Sequence, residues 1–294
     1  MSEPIFFKGP KTVLLADIAA ATGARLTVKI DPSIIIRGAA PISTAEPGDI
    51  TVLAAPEDAL LLQESGASAC FTAPNFAHLV PASMPALVIE EPLRAYALAL
   101  EMIFPRSLQA ASLLGASGIN PGASIHAEAR LEQGVIVDPG AVIGPRAEIG
   151  SGSIIGGNSV IGFEVRIGRD CVIGPHATIS HALIGNGVIV QPGARIGQAG
   201  IDPFFTASAA DPVNGLKLPK VGRVIIQDRV EIGANAAIAR GSGGDTVIGE
   251  ATRIGSLAQI PENAAIGRYC FIPARASLAA GERLGDFAMI AVRR

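Results

Sequence analysis

The feature that most restricts the fold of this chain is a period of six. Aliphatic residues recur at Ile119, Ile125, Leu131, Val137, Ile143 and Ile149, and continue in the same step to Ile179. After a slip of one at His181-Ala182 the period resumes at Ile184, Val190 and Ile196. It resumes again at Ile226, Ile232 and Ile238, then runs unbroken from Ile248 to Ile290. A step of six fits neither an α-helix nor a simple alternating strand. It fits hexapeptide repeats of a parallel β-helix, in which each repeat is a short strand plus a turn and three repeats close one triangular coil. The aliphatic of each repeat points inward, and glycine takes the turn positions where positive φ or close backbone approach is required. Each fully buried Ile or Val contributes about 1.5 to 3 kcal/mol, so many stacked repeats offset the ordering cost of a glycine-rich chain.

Composition agrees with a fold of many short turns. The 294 residues include 34 Gly and 21 Pro, no Trp, 49% hydrophobic residues and 17% charged ones. A net charge of −3 and the absence of Lys/Arg runs argue against nucleic-acid binding and against a polybasic membrane anchor. Cys70, Cys171 and Cys270 are odd in number, far apart and without C-x-x-C spacing. They read as small buried apolar residues in a reducing cytoplasm, not as a disulfide framework or a metal site. The start, MSEPIFFKGPKTV, lacks the pattern of a signal peptide, and no apolar run is long enough to span a bilayer.

Before the repeats the pattern differs. Residues 12–24 carry apolar residues at helical spacing and close on Gly23. Short β-branched runs follow at SIIIRGA, DITVLA, ACFTA and ALVIEE, with a helical PEDALLLQESG between them and a last helix from Pro92. Residues 1–104 are therefore expected to form a small α/β domain, 105–118 a linker, and 119–294 the β-helix. Two insertions leave the solenoid. One, 199–220, carries Phe204-Phe205, two Asp-Pro steps and an Asn-Gly turn signal. The other, ARGSGGD at 239–245, adds four residues between Ile238 and Ile248. A loop leaving a solenoid is not needed for its core, and exposed aromatics are costly unless covered, so Phe204 and Phe205 read as ligand or subunit contacts.

The segment KLPKVGRVIIQDRVEIGANAAIARG (217–241), the later IGRYCFIPARASL (266–278) and GDITVLAAPEDALLL (48–62) resemble the UDP-3-O-acylglucosamine N-acyltransferase family of lipid A biosynthesis. The resemblance covers nearly the whole chain. It implies a mainly β fold, a left-handed parallel β-helix of hexapeptide repeats preceded by a small α/β domain, assembled as a homotrimer. It also implies transfer of a 3-hydroxyacyl chain from acyl carrier protein to the 2-amine of a UDP-linked, O-acylated glucosamine, without metal or other cofactor. Such chemistry needs a general base for the attacking amine and backbone N–H groups for the oxyanion.

Residue by residue, the family's Ile-Ala-His-Asn falls on Ile260-Pro261-Glu262-Asn263, so its catalytic histidine is missing, either replaced by Glu262 or deleted with a coil of 18 residues. Its Ile-Asp-Arg-Gly falls on Ile238-Ala239-Arg240-Gly241, which removes the orienting carboxylate but keeps Arg240 and Gly241 as substrate-binding candidates. Aromatic positions that stack on uracil fall on Val52 and Asp58, and a nearby Asn falls on Ala55. The family's C-terminal helical extension has no counterpart before Arg294. Glu262 and His181 are the candidate catalytic residues, each with a bland alternative as a turn residue; His176 could pair with His181, and His78 and His126 read as surface. A catalytically silent paralogue that binds or assembles with an active homologue is the competing expectation.

Overall fold

A computed structural model describes residues 11–27, 34–105, 112, 114–115, 117–200, 206–208, 211–216 and 219–291, the backbone alone within 206–216. The chain separates into two compact units, Met1–Ala110 and Ala111–Arg294.

In the first unit a five-stranded sheet has the order Arg25–Leu26, Ala86–Val88, Ala69–Thr72, Asp49–Leu53, Gly38–Ala39. Arg25–Leu26 runs antiparallel to its neighbour and the remaining pairs are parallel. Both faces are covered, as parallel strands require. Ile50, Phe71 and Leu87 pack with α1 (Leu15–Thr22) and with Ala95, Ala99 and Ile103, whereas Leu53 and Cys70 face Leu62 and Met84 on the other side. Leu62 belongs to α2 (Ala59–Gln63), and Ala95 to Ile103 to α3 (Pro92–Ile103), which opens with proline at its first helical position. The helix expected over 12–24 is shorter, because Val13–Leu14 pairs antiparallel with Ile35–Ile36 before α1 begins. Its close is as read: Gly23 is left-handed, φ 72°.

The second unit is a three-sided parallel β-helix which, among the described residues, has seven strands on face A, seven on face B and eight on face C. Face A runs from Ile136–Val137 to Phe271–Ile272, face B from Ser124–Ile125 to Gln259–Ile260, and face C from Arg130–Leu131 to Arg283–Leu284. Most strands are two residues long, one outward and one inward. The inward residues stack in register: Ile155 on Ile173, Ile161 on Ile179, Ile254 on Ile272, each eighteen residues apart. They form one continuous core from Val135 to Leu278. The column is thinner at its ends than the period suggests. Ile119 is 56% exposed, and Ile125, Leu131, Leu284 and Ile290 are half-buried, because a terminal coil has a neighbour on one side alone.

Glycine acts here mainly through close approach. Fourteen of the described non-glycine residues adopt positive φ at the corners, among them Arg146, Asn158, His176 and Tyr269, so left-handed turns are not reserved for glycine. The glycines that follow the inward aliphatics instead lie flat against the next coil. A Cβ at Gly174 would fall 2.6 Å from Pro192 N, and one at Gly150 would fall 2.6 Å from Gly168 C.

All three cysteines are buried, and burial pushes the Cys70 thiol up to about 12. No helix among the described residues is long and apolar enough to cross a membrane.

Candidate functional site

The register places His181, Arg240, Gly241 and Glu262 on one edge of the prism. On face B the inward residues stack in the order Ile161, Ile179, Ile196, Ile238, Ile260, and on face C in the order Ile167, Ile184, Ile226, Ile248, Ile266. The corner between these faces therefore carries, on consecutive coils, Phe163, His181, the 199–220 excursion, the 239–245 loop and Pro261-Glu262-Asn263. The one-residue slip, both insertions and the altered hexapeptide are events on a single edge. Phe204 and Phe205 lie outside the described residues; within the excursion, Thr206–Ser208 pairs antiparallel with Asp211–Leu216.

Arg240 joins the two ends of the excursion. Its backbone N–H donates to Gln198 O at 3.1 Å, its Nη1 to Gly197 O at 3.0 Å and its Nε to Lys220 O at 2.8 Å. Gly197, with φ 85°, is pressed so closely on the coil below that a Cβ there would overlap Ser180 O. The guanidinium is thus occupied by the chain's own carbonyls. Gly241 is engaged too, donating to Arg223 O at 3.4 Å and accepting from Gly222 at 2.9 Å. A side chain on Gly241 would collide with Gly244 O and crowd Asn263 Oδ1. Its place in the sequence follows from that tight loop.

Asn263 fastens the same loop. Left-handed at φ 57°, it accepts from Ser242 N at 3.1 Å, donates through Nδ2 to Ser242 Oγ at 2.7 Å, and donates its N–H to Thr246 Oγ1 at 3.0 Å. Arg223 closes the loop from below, reaching Asp245 through its backbone N–H (2.9 Å), Nε (3.2 Å) and Nη2 (2.8 Å). These bonds hold the Asp245 carboxyl below the ordinary aspartate range and raise Arg223.

Glu262 lies on the last of these coils. Its Oε2 is 2.5 Å from Lys220 Nζ, with side chains 18% and 4% exposed. The pair is a charge contact whose alignment leaves Oε2 without a directed hydrogen bond. A Cβ at Gly200 would be 3.7 Å from both that oxygen and Ala239 Cβ, and the Ala239 side chain carries no polar atom. Nothing in the sequence singles out Lys220. It stands as an unremarkable lysine in KLPK at the closing end of the excursion, and its partner is 42 residues away.

His181 sits lower on the edge, left-handed at φ 47° and exposed. It helps line a cavity of about 570 Å³ together with Arg130, Phe163, Arg166 and Arg223. Partial burial, and then the nearby charge of Arg240, lower its pKa below the ordinary histidine value. Arg240 is therefore linked to both candidates: its charge acts on His181, and its Nε holds the carbonyl of the lysine that pairs with Glu262. His176 is on another corner, exposed, with its carbonyl taken by Arg195 Nη1. His126 and His78 are exposed as expected.

In the first unit Val52, Ala55 and Asp58 follow one another from the strand Asp49–Leu53 into the 3-10 turn Pro56–Asp58, all partly exposed. None offers an aromatic face.

Comparison with known proteins bears on both units. A family model described as UDP-3-O-(3-hydroxymyristoyl) glucosamine N-acyltransferase, LpxD, matches residues 33–102, and one for bacterial transferase hexapeptides (six repeats) matches 128–162 and 164–198. A UDP-3-O-acylglucosamine N-acyltransferase of Methylobacterium sp. (strain 4-46) is 49% identical over 290 residues, 99% of this chain and 81% of that protein. A protein of the same name from Rhizobium johnstonii is 48% identical over 279 residues, 95% of this chain and 77% of that protein. Among solved structures, the Arabidopsis UDP-N-acetylglucosamine acyltransferase superposes with a TM-score of 0.50 at 24% identity, over 57% of each chain. That likeness concerns the fold, a left-handed parallel β-helix.

Proposed function

Since the chain belongs to the UDP-3-O-acylglucosamine N-acyltransferase family of lipid A biosynthesis, we propose that it transfers a 3-hydroxyacyl group from acyl carrier protein to the 2-amine of UDP-3-O-acylglucosamine, with Glu262 as the proton acceptor. The observation that carries this reading is similarity to a protein of that name across 99% of the chain, both units included. The amine attacks the thioester carbonyl, the base beside it takes the one proton the nitrogen must lose, and the C–S bond breaks to release the carrier as a thiolate, which that proton then converts to the thiol. Glu262 occupies the hexapeptide where the family carries its histidine, and its oxygen is sheltered from water at the foot of a loop. A carboxylate is a weaker base than imidazole, so turnover is expected to be slower than with histidine. The chain assembles as a homotrimer, and a carrier-protein donor sets the reaction in the cytoplasm.

A second reading has its own observation. Glu262 is already closed on a buried ammonium, and the carboxylate that would orient a histidine is Ala239. A silent family member that binds or assembles with an active one would look like this.

One experiment separates the two. The purified chain is incubated with 3-hydroxyacyl carrier protein and UDP-3-O-acylglucosamine, and amide formation is followed by mass spectrometry. Turnover that falls by about 100-fold or more in Glu262→Gln supports the proposal. Turnover indifferent to that change removes Glu262 from the mechanism. No turnover, with UDP-sugar binding retained by calorimetry, favours the silent member.

A further inference from the structure

We propose that Lys220 is the positioning residue for Glu262, the two working as a charge-paired unit anchored through Arg240; this rests on the proposed function above. Three observations lead to it.

The first is burial. A lysine side chain 4% exposed and a glutamate side chain 18% exposed meet at 2.5 Å. Surface pairs contribute little because solvent screens them and both side chains must be immobilised. Here the geometry is held by the fold, and removing the ammonium would leave the Glu262 carboxylate uncompensated in a poorly solvated place.

The second is that the backbone of Lys220 is fixed independently of its ammonium. Arg240 Nε holds Lys220 O at 2.8 Å while Arg240 Nη1 holds Gly197 O at 3.0 Å. Those two carbonyls flank the opening and closing ends of the excursion. The ammonium is therefore carried on a clamped stem, and the carboxylate it meets inherits that position.

The third is what surrounds the carboxylate. The methyl of Ala239 and Glu262 Oε2 each lie 3.7 Å from where a Cβ at Gly200 would stand, and Pro261 restricts the backbone on the N-terminal side of Glu262. Ala239 supplies nothing that could orient Glu262. A cation reaching in from the closing end of the excursion supplies it, with the opposite sign to the carboxylate that would suit a histidine. In the reaction the ammonium holds Glu262 at the place where the acceptor's amine must shed its proton. Lys220 itself neither gains nor loses an atom.

The test uses full-length chain with Lys220→Met, Lys220→Arg, Glu262→Gln and the double variant Lys220→Met/Glu262→Gln, each first checked for a cooperative thermal unfolding transition. Steady-state N-acylation is measured with the carrier-bound donor and UDP-3-O-acylglucosamine. Lys220→Met is expected to lower kcat by about 100-fold with KM for the UDP-sugar within about threefold of the unaltered chain. Lys220→Arg keeps the charge and is expected to recover at least about tenfold of that loss, which a purely structural contribution would not produce. In the Glu262→Gln background, Lys220→Met is expected to have no further effect, because the two act as one unit.

Equal kcat in Lys220→Met and the unaltered chain overturns the positioning role while leaving the proposed function standing. So does an equal loss in the Glu262→Gln background. An unaltered chain that is inert while Lys220→Met turns over makes Lys220 a lock, which also overturns it. Inertness of every variant overturns both readings together. Should Lys220→Met fail to fold, the comparison of Lys220→Arg with the double variant decides.

Discussion

A Cβ added at Gly255 would lie 2.3 Å from Ala274 N, whereas one added at Gly285, the same position of the repeat in the last coil, would meet nothing within 4 Å. Gly255→Ala is accordingly expected to destabilise the unit by about 1 to 3 kcal/mol through overpacking against backbone. Gly285→Ala is expected to stay within about 0.5 kcal/mol, both measured by urea denaturation. At the same scale His181 and Arg240 form a measurable couple. Burial is the larger cause of the lowered His181 pKa and Arg240 the smaller, so Arg240→Gln is expected to move the histidine part of the way back up, read by NMR titration of its ring protons. The sign follows from linkage. The folded chain holds this proton less tightly than the unfolded one, so His181 opposes folding as the pH falls through and below the ordinary histidine range. Above that range it has no effect. Single residues were also where the sequence was least informative. Glu262 and Arg240 stand out because the family resemblance lays its Ile-Ala-His-Asn and Ile-Asp-Arg-Gly motifs on them. Lys220 does not, since an ion pair formed across an insertion leaves no trace in local spacing.

Elements of two residues have little propensity of their own, so the hydrophobic column must hold them in place. Ile173, fully buried in mid-column, is expected to lose about 2 to 5 kcal/mol on change to Ala. Ile119→Ala, at a site 56% exposed, is expected to lose less than about 0.5 kcal/mol despite its identical place in the period. The 239–245 loop has a charge dependence of its own. Arg223 holds Asp245 below the ordinary aspartate range, so this pair contributes stability at neutral pH that is lost as the pH falls through the depressed folded-state value. Arg223→Ala is expected to shrink the difference in Tm between about pH 7 and about pH 3 relative to the unaltered chain. The repeat elements were legible because an aliphatic every sixth residue has no other regular explanation. In the first unit the strand Val13–Leu14 was hidden, since its residues also fit the helical pattern and its partner Ile35–Ile36 lies beyond α1. Propensity cannot see a partner that far along the chain.

For the molecule as a whole, the three-faced architecture follows directly from the period, while the clustering of His181, Arg240 and Glu262 on one edge follows from counting coils through two interruptions. Sequence spacing alone makes these residues look scattered; the register shows them stacked. The proposed homotrimer is checked by light scattering, which should give three times the 29.9 kDa chain mass; a monomer mass would count against it.

The eighteen-residue register also means that the length of this unit is quantised. Removing or adding a whole coil shifts the later part of the chain along the axis and leaves every side chain on its own face. A change of six keeps the aliphatic column filled but turns everything beyond it by one face, carrying Glu262 off the edge that holds Lys220. A change of one inverts inside and outside unless a corner absorbs it, as the corner at His181 already does. Length variation in this unit is therefore free at corners, costly within strands, and able to dismantle the site without unfolding the column.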